Sequence, residues 1–478
     1  MKHEYEVNIG IEVHVQLSTK SKIFCSSPNY ISDTPNENIC PVCAGYPGVL
    51  PVPNEEVIRY AVMAGLATNC TINCDTEFAR KHYFYPDLPK GYQISQHDKP
   101  ICTDGYVEIR RENGAAKKIG LIRIHMEEDA GKNIHPAHSP FSLVDLNRAG
   151  TPLLEIVSQP DISSAFEAKA YLKALRGIVT YLGICTGNME EGAFRADTNI
   201  SVRPRGAAQL GTRCELKNIN SFKFIGDAIE YEIARQVELL ERGQAVRQET
   251  RSWDTKEHKT DVLRNKEESA DYRYFPDPDL PLIAINHAYI ESIREKMPEL
   301  PHDKFERLRR QYGLSDYEVE ILVDDPAIAD YYEKAAALSS SKQLINWVLR
   351  DVLTLASEEK VSLIACKVTP EKLAGLVSLV DTGTINARTA QELLIDIART
   401  GESPDALVKN RGLEQVGSQE ELEKIITEII RDNPAQVTDY RAGKERLFGF
   451  FVGQAMQKTR GKGNPRVINE LLKKHLAA

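Results

Sequence analysis

Alternation of apolar and polar residues is the feature that most limits how the first part of this chain can fold. In residues 7–17, aliphatic side chains alternate with amide, carboxylate and imidazole groups, which is the pattern of a strand with one buried face. Strands of this kind outnumber helices up to about residue 290, and regular helices do not separate them. We therefore predict an α+β fold with a mostly antiparallel sheet rather than a doubly wound parallel sheet.

Carboxylates stand repeatedly at positions where a strand surface would otherwise carry neutral polar groups. The segments with this property are residues 9–17, 123–132, 142–157, 189–204 and 213–221. Carboxylate oxygens are the ligands that Mg²⁺ prefers, and protein-bound Mg²⁺ commonly holds substrate phosphates. The sequence therefore predicts a concave site for Mg²⁺ and phosphate in an ATP-using enzyme. For each segment taken alone, a solvated strand face remains the alternative.

Many of these side chains are two residues apart and so project from the same face of their strand, about 7 Å apart. The sets are Glu12 with His14, Arg123 with His125 and Glu127, Asp197 with Asn199, Ser201 and Arg203, and Glu215 with Lys217. Faces of acid, amide, hydroxyl and guanidinium groups suit ribose, phosphate or a hydrated metal ion. Histidine is an unusual ligand for Mg²⁺, so His14 is equally expected to orient a water molecule or a carboxylate.

Phosphate binding cannot rest on a glycine-rich loop, because the sequence contains neither a Walker motif nor the GxGxxG fingerprint. Side chains and strand ends must serve instead. The basic residues Arg80 and Lys81, which come directly before the segment 82–96, are candidates for binding phosphate. The aromatic run at 83–85 reads equally well as a core strand that ends at Pro86.

The pattern of the chain changes twice along its 478 residues, which are too many for one ordinary core. Strands dominate residues 1–294, with helices predicted over 164–183 and 222–242. Residues 295–405 carry helical spacing, and a small helical module occupies 406–478 after a short linker. We therefore predict three domains with these boundaries.

Composition predicts a globular cytoplasmic protein. Hydrophobic residues make up 42% and charged residues 27% of the chain. No apolar run reaches the roughly 18 residues of a membrane-spanning helix, and the opening residues lack the apolar core of a signal peptide. The nine cysteines are irregularly spaced, which indicates thiols rather than a disulfide framework.

Basic residues are concentrated at the end of the chain although the net charge is −9. Residues 441–478 contain nine Lys or Arg against two acidic residues. A basic, glycine-rich turn is formed by Lys458, Arg460, Lys462 and Arg466. Such a turn suits contacts with an RNA backbone, which position the RNA without reading its sequence. A helix-to-helix turn that happens to be basic is the alternative.

Three cysteines close in sequence, Cys25, Cys40 and Cys43, have spacing typical of zinc ligands. A structural zinc site uses four ligands. Two interpretations of these cysteines therefore remain: a buried thiol cluster without metal, and the metal site of a zinc-ribbon protein.

Taken together, the segments resemble the family of B subunits of the aspartyl/glutamyl-tRNA(Asn/Gln) amidotransferase. The motifs that carry the resemblance run in order along the chain: IGIEVHVQL, YPGVLPVPN, FARKHYFYPDLPKGYQISQ, HMEEDAGK, DLNRAGTPLLEIV, MEEGAFRADTNIS, ELKNINSFKF, DYRYFPDPDLP and GQAMQKTRGKGNP. So many long motifs in one order exclude chance agreement.

The resemblance implies an α+β cradle domain, a helical domain and a tail domain similar to the small protein YqeY. It also implies an activity. ATP and Mg²⁺ serve to phosphorylate the side-chain carboxylate of Glu-tRNA(Gln), Asp-tRNA(Asn) or both. Ammonia from a separate amidase A subunit then displaces the phosphate, and a small C subunit completes a heterotrimer. A non-catalytic tRNA-binding platform is the alternative, although clustered carboxylates would repel RNA.

The resemblance further implies roles for individual residues. It places the Mg²⁺ ligands and catalytic groups at Glu12, His14, Glu127 and Glu215. Contacts with ATP or the substrate carboxylate fall to Arg80, Lys81, Asn199 and Lys217. Further supporting acids are Glu155, Glu190 and Asp197, and the tRNA contacts fall to the basic turn.

The chain departs from the family at one place. Relatives carry a Phe-Cys-x-Cys stretch that completes four thiolates, whereas this chain has Ser27 at the second thiolate position. We therefore do not assign a zinc ion. The chain also lacks a Ser-Ser-Lys amidase arrangement, so glutamine hydrolysis is expected to need the partner subunit.

Overall fold

A computed structural model describes residues 4–136, 139–265, 271–363, 365–413, 419–459, 463 and 465–477. The chain divides into two compact units, Met1–Glu306 and Arg307–Ala478. The first unit combines strands and helices, and the second is helical. The α+β class is confirmed, while the division into three domains stays a prediction.

Among the residues that the structure describes, the strands lie in the first unit. They are β1 (Tyr5–Gln16), β2 (Thr71–Ile72), β3 (Asp75–Thr76), β4 (Ala79–His82), β5 (Tyr92–Ser95), β6 (Cys102–Arg110), β7 (Ala116–Glu128), β8 (Lys132–Ile134), β9 (Leu143–Asp145), β10 (Pro152–Ser158), β11 (Phe194–Pro204), β12 (Cys214–Lys217), β13 (Glu249–Asp254), β14 (Lys259–Asn265), β15 (Phe275–Pro276) and β16 (Ile283–Ala284).

Nine of these strands form one sheet in the order β14-β13-β12-β11-β1-β10-β7-β6-β2. Its neighbouring strands are antiparallel except for β12 and β13, which run parallel, as predicted for a mostly antiparallel sheet. A three-stranded sheet, β15-β4-β5, lies beside the end of β7. Two small ribbons pair β16 with β3 and β8 with β9.

Four helices complete the sheet-containing part of the first unit. They are α1 (Glu55–Ala67), α2 (Ala165–Tyr181), α3 (Phe222–Glu241) and α4 (His287–Arg294). The predicted helices over 164–183 and 222–242 are therefore confirmed to within two residues. Ser164 caps α2 by accepting a hydrogen bond from the Glu167 N–H at 3.2 Å, whereas the Glu167 carboxylate binds Ser163 rather than closing a full capping box.

The core of the first unit lies between one face of the nine-stranded sheet and helices α1–α3. Alternate residues of β1, from Ile9 to Val15, are at most 1% exposed and pack in the same cluster as Tyr171 of α2 and Ile225 of α3. Because strand side chains alternate between faces, the other face of these strands carries the polar residues.

The helices that follow are α5 (Pro301–Tyr312), α6 (Asp316–Asp324), α7 (Pro326–Ala336), α8 (Leu344–Asn346), which continues through a π-helical turn (Trp347–Val352) into α9 (Leu353–Glu358), α10 (Pro370–Asp381), α11 (Ala387–Thr400), α12 (Pro404–Arg411), α13 (Gln419–Asp432), α14 (Pro434–Arg441), α15 (Leu447–Lys458) and α16 (Pro465–Ala477). Helices α13–α16 share a core of their own around Ile426, Phe451 and Leu472. Over the residues that the structure describes, no helix is long and apolar enough to cross a bilayer.

Candidate active site

The polar side chains of the central strands meet on one face of the nine-stranded sheet because of the strand register. His14 of β1 lies opposite Glu155 of β10, and Glu155 lies opposite His125 of β7. One pleat further along, Glu12 of β1 lies opposite Asp197 of β11. Side chains directly opposite one another on one face are only about 5 Å apart at Cβ, so residues far apart in sequence form one continuous polar surface.

The first cluster on this face, called here the histidine cluster, contains His14, His125, Glu127 and Glu155. The Nε2 atom of His14 lies 3.4 Å from Glu155 Oε2 and 3.8 Å from Glu127 Oε1. The Nε2 atom of His125 lies 3.5 Å from both Glu127 Oε2 and Glu155 Oε2. Each carboxylate therefore lies between two imidazoles, and the Ser95 hydroxyl also donates to Glu127 at 3.1 Å.

The carboxylates of this cluster raise the pKa of both histidines. Burial lowers the pKa of His125, but the charge of Glu155 and hydrogen bonds to Glu127 and Glu155 outweigh it and raise the pKa to about 9. Burial also lowers the pKa of His14, and the hydrogen bond and charge of Glu155 again give a net rise. For Glu155, burial raises the pKa, but the two histidines bring it well below its usual range. The cluster is therefore a set of buried, mutually compensated charges.

The second cluster, called here the carboxylate cluster, contains Glu12, Asp197 and Glu215. Their donor atoms all lie within 4.8 Å of one another. Lys217 compensates them, since its Nζ lies 2.6 Å from Asp197 Oδ2 and 3.2 Å from Glu215 Oε1. Burial and the charge of Glu155 raise the pKa of Glu12, so a cation at this cluster would relieve an existing electrostatic cost.

Neutral donors orient the carboxylate cluster. The Asn199 amide donates to Glu12 Oε1 at 3.1 Å, and the Thr250 hydroxyl donates to Glu215 Oε2 at 2.8 Å. These contacts fix the direction in which Glu12 and Glu215 face the centre of the cluster. Asn199 therefore acts on Glu12 and, through it, on the geometry of the cluster.

The adjacent residues Arg80 and Lys81 project to opposite sides of β4 and differ in their surroundings. Burial lowers the pKa of Lys81, but the charge of Glu127 together with those of Tyr274, Glu155 and Tyr272 outweighs it and raises the pKa. The ammonium group of Lys81 also lies 4.9 Å from the ring centroid of Tyr272. Lys81 therefore belongs to the edge of the histidine cluster.

Arg80 is engaged elsewhere. Its Nε lies 2.8 Å from Asp277 Oδ2, one of its terminal nitrogens lies 2.8 Å from Asp279 Oδ2, and its guanidinium stacks 4.2 Å from the ring centroid of Tyr92. The structure thus brings Lys81, but not Arg80, to the polar face.

The four residues that the family resemblance assigned to one metal site are divided between the two clusters. His14 and Glu127 lie in the histidine cluster, and Glu12 and Glu215 lie in the carboxylate cluster. Glu155 and Asp197, expected only as supporting acids, complete these groups of metal-ligand type. Glu190 is in neither group; it lies in a turn where its N–H donates to the Asn188 side chain at 2.9 Å.

His125 is the one member of either cluster to which the sequence pattern gave no role. The signal was present, because His125 shares the strand face of Glu127 and alternates with the buried Ile124 and Met126. Its partner Glu155, however, comes from a strand about 30 residues away in sequence, and only the register brings the two together.

The predicted basic turn is only partly within the described residues. Lys458 lies at the end of α15 and pairs with Glu428 at 3.3 Å and Asp432 at 3.5 Å. Arg460 and Lys462 lie outside the described residues, as does the side chain of Arg466 in α16. The predicted tRNA contacts therefore stay a prediction.

Comparison with known proteins finds a family match for each of two parts of the chain. Residues 7–291 match the family described as the GatB/GatE catalytic domain, and residues 330–476 match the GatB domain. The chain belongs to the GatB family. This confirms the resemblance seen in the motifs.

Curated relatives extend this similarity over the full length. The chain is 49% identical over 474 residues to a protein of Thermodesulfovibrio yellowstonii, with 99% of both chains covered. It is 52% identical over 477 residues to a protein of Geotalea daltonii and 50% identical over 474 residues to one of Myxococcus xanthus, again with 99% of both chains covered. Each of these relatives is named as the B subunit of the aspartyl/glutamyl-tRNA(Asn/Gln) amidotransferase, so the homologues are components of a tRNA-dependent amidotransferase.

Proposed function

We propose that this chain is the kinase and amidation subunit of a tRNA-dependent amidotransferase. It uses ATP to phosphorylate the side-chain carboxylate of glutamate on tRNA(Gln), aspartate on tRNA(Asn), or both. Ammonia from a separate amidase A subunit then displaces the phosphate and leaves the amide. A small C subunit completes the heterotrimer. The names of the relatives support three parts of this proposal: the substrate is a charged tRNA, the reaction is an amidation, and the enzyme has further subunits.

The observation that carries the proposal is the pair of charged clusters side by side on one sheet face. A platform that only binds RNA has no use for seven buried or half-buried carboxylates and imidazoles facing one space, because the carboxylates repel phosphates. Phosphoryl transfer does use such groups, since it depends on positioning and on compensation of charge more than on covalent catalysis.

Magnesium fits the carboxylate cluster better than the histidine cluster. Glu12, Asp197 and Glu215 offer three oxygens within 4.8 Å of one another, and Mg²⁺ is normally held by a few carboxylates plus water and phosphate oxygens. Bound there, Mg²⁺ would neutralise charge that develops on the phosphoryl group. His14, Glu127 and Glu155 form the second candidate position for a cation.

The chain's own basic residues complete the chemistry. Lys217 binds phosphate oxygens next to the carboxylate cluster, and Asn199 keeps Glu12 oriented. Lys81 binds the substrate carboxylate or the transferred phosphoryl group beside Glu127. A carboxylate is a poor electrophile towards ammonia, and phosphorylation converts one of its oxygens into a leaving group. His14 and His125 hold Glu127 and Glu155 in place throughout.

The basic turn supplies the contacts with tRNA in this proposal. Lys458, Arg460, Lys462 and Arg466 bind the phosphate backbone and so position the charged 3′ end without reading sequence.

The test compares three forms of the complex purified with its A and C partners. Wild type, Glu127→Gln and Glu108→Gln are supplied with Glu-tRNA(Gln), ATP, Mg²⁺ and glutamine. Glu108 is an exposed carboxylate on β6 of the same sheet and serves as the matched control. We expect wild type and Glu108→Gln to form Gln-tRNA. Glu127→Gln should keep glutaminase activity and tRNA binding, but its rate of Gln-tRNA formation should fall by at least about a hundredfold.

Two results would count against the proposal. Normal amidation by Glu127→Gln would show that the histidine cluster takes no part in the reaction. Binding of charged tRNA by the wild-type complex, with no product under any supply of ATP and glutamine, would favour the non-catalytic platform.

A further inference from the structure

A lysine is fully buried next to the cysteines of the first unit. Lys22 is 0% exposed, and its Nζ donates to the carbonyl oxygens of Asn38 at 2.6 Å and Leu146 at 3.4 Å. Its third neighbour is the Sγ of Cys43, at 3.6 Å. No carboxylate pairs with Lys22 among the ion pairs of the described residues. A buried ammonium group without a counter-charge is costly, and Cys43 is the acidic group within reach.

Several donors surround the sulfur of Cys43, which also lies 3.5 Å from the Cys40 carbonyl oxygen as a possible donor of its own. The Cys40 N–H donates to Cys43 Sγ at 3.2 Å, and the Ser27 hydroxyl lies 3.7 Å away. A hydrogen bond from Cys25, working against burial and together with the Cys40 N–H and the charge of Lys22, lowers the pKa of Cys43 below its usual range. Donors therefore converge on one sulfur, which is the environment of a thiolate.

The same residues do not fit a closed structural zinc site. Cys25, Cys40 and Cys43 place their sulfurs within 4.8 Å of one another, but such a site needs four strong ligands. The fourth position is next to the Ser27 hydroxyl, a far weaker ligand than a thiolate. In addition, the positive charge of Lys22 already lies beside Cys43 Sγ, which is the same sulfur that a metal ion would bind.

We propose that this cluster is a site of reversible oxidation, in which Cys43 is the reacting thiolate and Cys40 the resolving thiol. The Sγ atoms of the two residues are 3.9 Å apart, about 2 Å more than the length of a disulfide bond. The proposal is independent of the kinase and amidation chemistry.

The co-reactant is a hydroperoxide such as hydrogen peroxide. The Cys43 thiolate attacks one peroxide oxygen, the O–O bond breaks, and the released hydroxide takes up a proton to become water, leaving Cys43 as a sulfenic acid. The Cys40 thiol then attacks the sulfenic sulfur. The S–S bond forms, the S–O bond breaks, and the leaving hydroxide takes the thiol proton to form a second water. Two thiols are oxidised and one peroxide is reduced.

The cysteine cluster lies close to the end of β7. Cys25 and Cys43 line a small cavity together with Lys90 and Glu128, and Lys90 forms an ion pair with Glu128. Glu128 directly follows Glu127 at the end of β7. A disulfide at this cavity therefore lies next to the strand end that positions the histidine cluster.

The experiment exposes the purified full-length chain to stoichiometric hydrogen peroxide and maps disulfides and free thiols by mass spectrometry. Four forms are compared: wild type, Cys40→Ser, Cys43→Ser and Cys185→Ser. Cys185 is a buried thiol of the same unit whose pKa burial raises to about 11, so it is the matched control. Metal content is measured on the same samples, and thermal unfolding checks that each variant is folded.

We expect a Cys40–Cys43 disulfide in wild type and Cys185→Ser before any other thiol is modified. Cys40→Ser should instead accumulate a sulfenic acid at Cys43 that dimedone traps, and Cys43→Ser should form neither product. Reduction with dithiothreitol should restore the free thiols. Stoichiometric zinc in the freshly purified wild type, oxidation of Cys70 or Cys102 ahead of Cys43, or a disulfide to Cys25 in place of Cys40 would each overturn the proposal.

Discussion

His14 on β1 lies directly opposite Glu155 on β10, and the two side chains approach to 3.4 Å on the polar face of the sheet. Glu155 also lies 3.5 Å from His125 on β7. One carboxylate therefore holds two imidazoles from two different strands. This arrangement makes Glu155, rather than either histidine, the residue whose removal would most disturb the cluster.

Replacing Glu155 by glutamine should lower the pKa of both histidines, because its charge and hydrogen bonds are what offset the effect of burial on His14 and His125. We expect His125 to titrate below about 9, measured by NMR of the imidazole protons, and Gln-tRNA formation to fall by at least about a hundredfold. Glu108→Gln, a change at an exposed carboxylate of β6 outside both clusters, is the control and should alter neither quantity. An unchanged His125 pKa in Glu155→Gln would contradict this description of the cluster.

Replacing Lys217 by methionine should make the protein depend on Mg²⁺ for stability. Lys217 is the cation that lies 2.6 Å from Asp197 and 3.2 Å from Glu215, and without it three carboxylates repel one another. We expect the Tm to fall by about 3 °C or more without metal and to be largely restored by millimolar Mg²⁺, measured by calorimetry. Lys259→Met, at a half-exposed lysine of β14, should show no such rescue. An equal effect of Mg²⁺ on both variants would exclude the carboxylate cluster as its site.

Acid should weaken the first unit through Glu232 of α3. The side chain of Glu232 is 0% exposed and lies 2.7 Å from Arg235 and 3.6 Å from Arg251. Burial raises its pKa, but Arg235, Gln236 and Arg251 give a net fall. A carboxyl group with a lowered pKa stabilises the fold above its unfolded pKa, and that contribution is lost as the pH falls through the lower, folded value.

Glu232→Gln should therefore destabilise the protein at pH 7 by about 3 kcal/mol and flatten the loss of stability below about pH 4.5, measured by urea unfolding over a pH series. The control on the same helix is Glu238→Gln, which breaks an exposed pair with Arg242 and should change the free energy of unfolding by less than about 1 kcal/mol. Equal effects of the two substitutions would show that the buried network does not act as described.

Neutralising the basic turn should weaken tRNA binding in a salt-dependent way. Alanine at Lys458, Arg460, Lys462 and Arg466 together should lower the affinity of the assembled complex for tRNA and reduce the slope of log K against log salt by about one for each phosphate that is no longer bound. Filter binding at several salt concentrations measures both. Arg388→Ala, at an arginine of α11 whose side chain is 89% exposed, should leave the slope unchanged. If the quadruple variant binds with the wild-type slope, tRNA is bound elsewhere.

The sequence predicted the faces of the strands but not their partners. Alternation alone placed Glu12 with His14, and His125 with Glu127, on single faces, because strand side chains have a period of two. Which strands are neighbours is set by long-range packing. The order β11-β1-β10-β7 brings Glu155 between two histidines, and no local pattern encodes that order.

The same limit explains why the sequence did not predict the surroundings of Arg80 and Lys22. Arg80 was expected at the site together with Lys81, but its partners Asp277 and Asp279 are almost 200 residues away in sequence. Lys22 gave no signal at all, because a single lysine in a polar segment reads as exposed, whereas it is fully buried against Cys43. The motifs of the family, by contrast, are continuous in sequence, which is why the family was recognisable before the fold.

The most direct test of the central claim separates phosphorylation from amidation. The complex, without glutamine or ammonia, is given ATP labelled in its adenine ring, Mg²⁺ and either Glu-tRNA(Gln) or uncharged tRNA, and the formation of labelled ADP is compared. We predict ADP formation that requires the charged tRNA and is lost in Glu215→Gln and Glu127→Gln but retained in Glu108→Gln. ATP cleavage at the wild-type rate in both cluster variants would contradict the assignment of the polar face as the phosphorylation site.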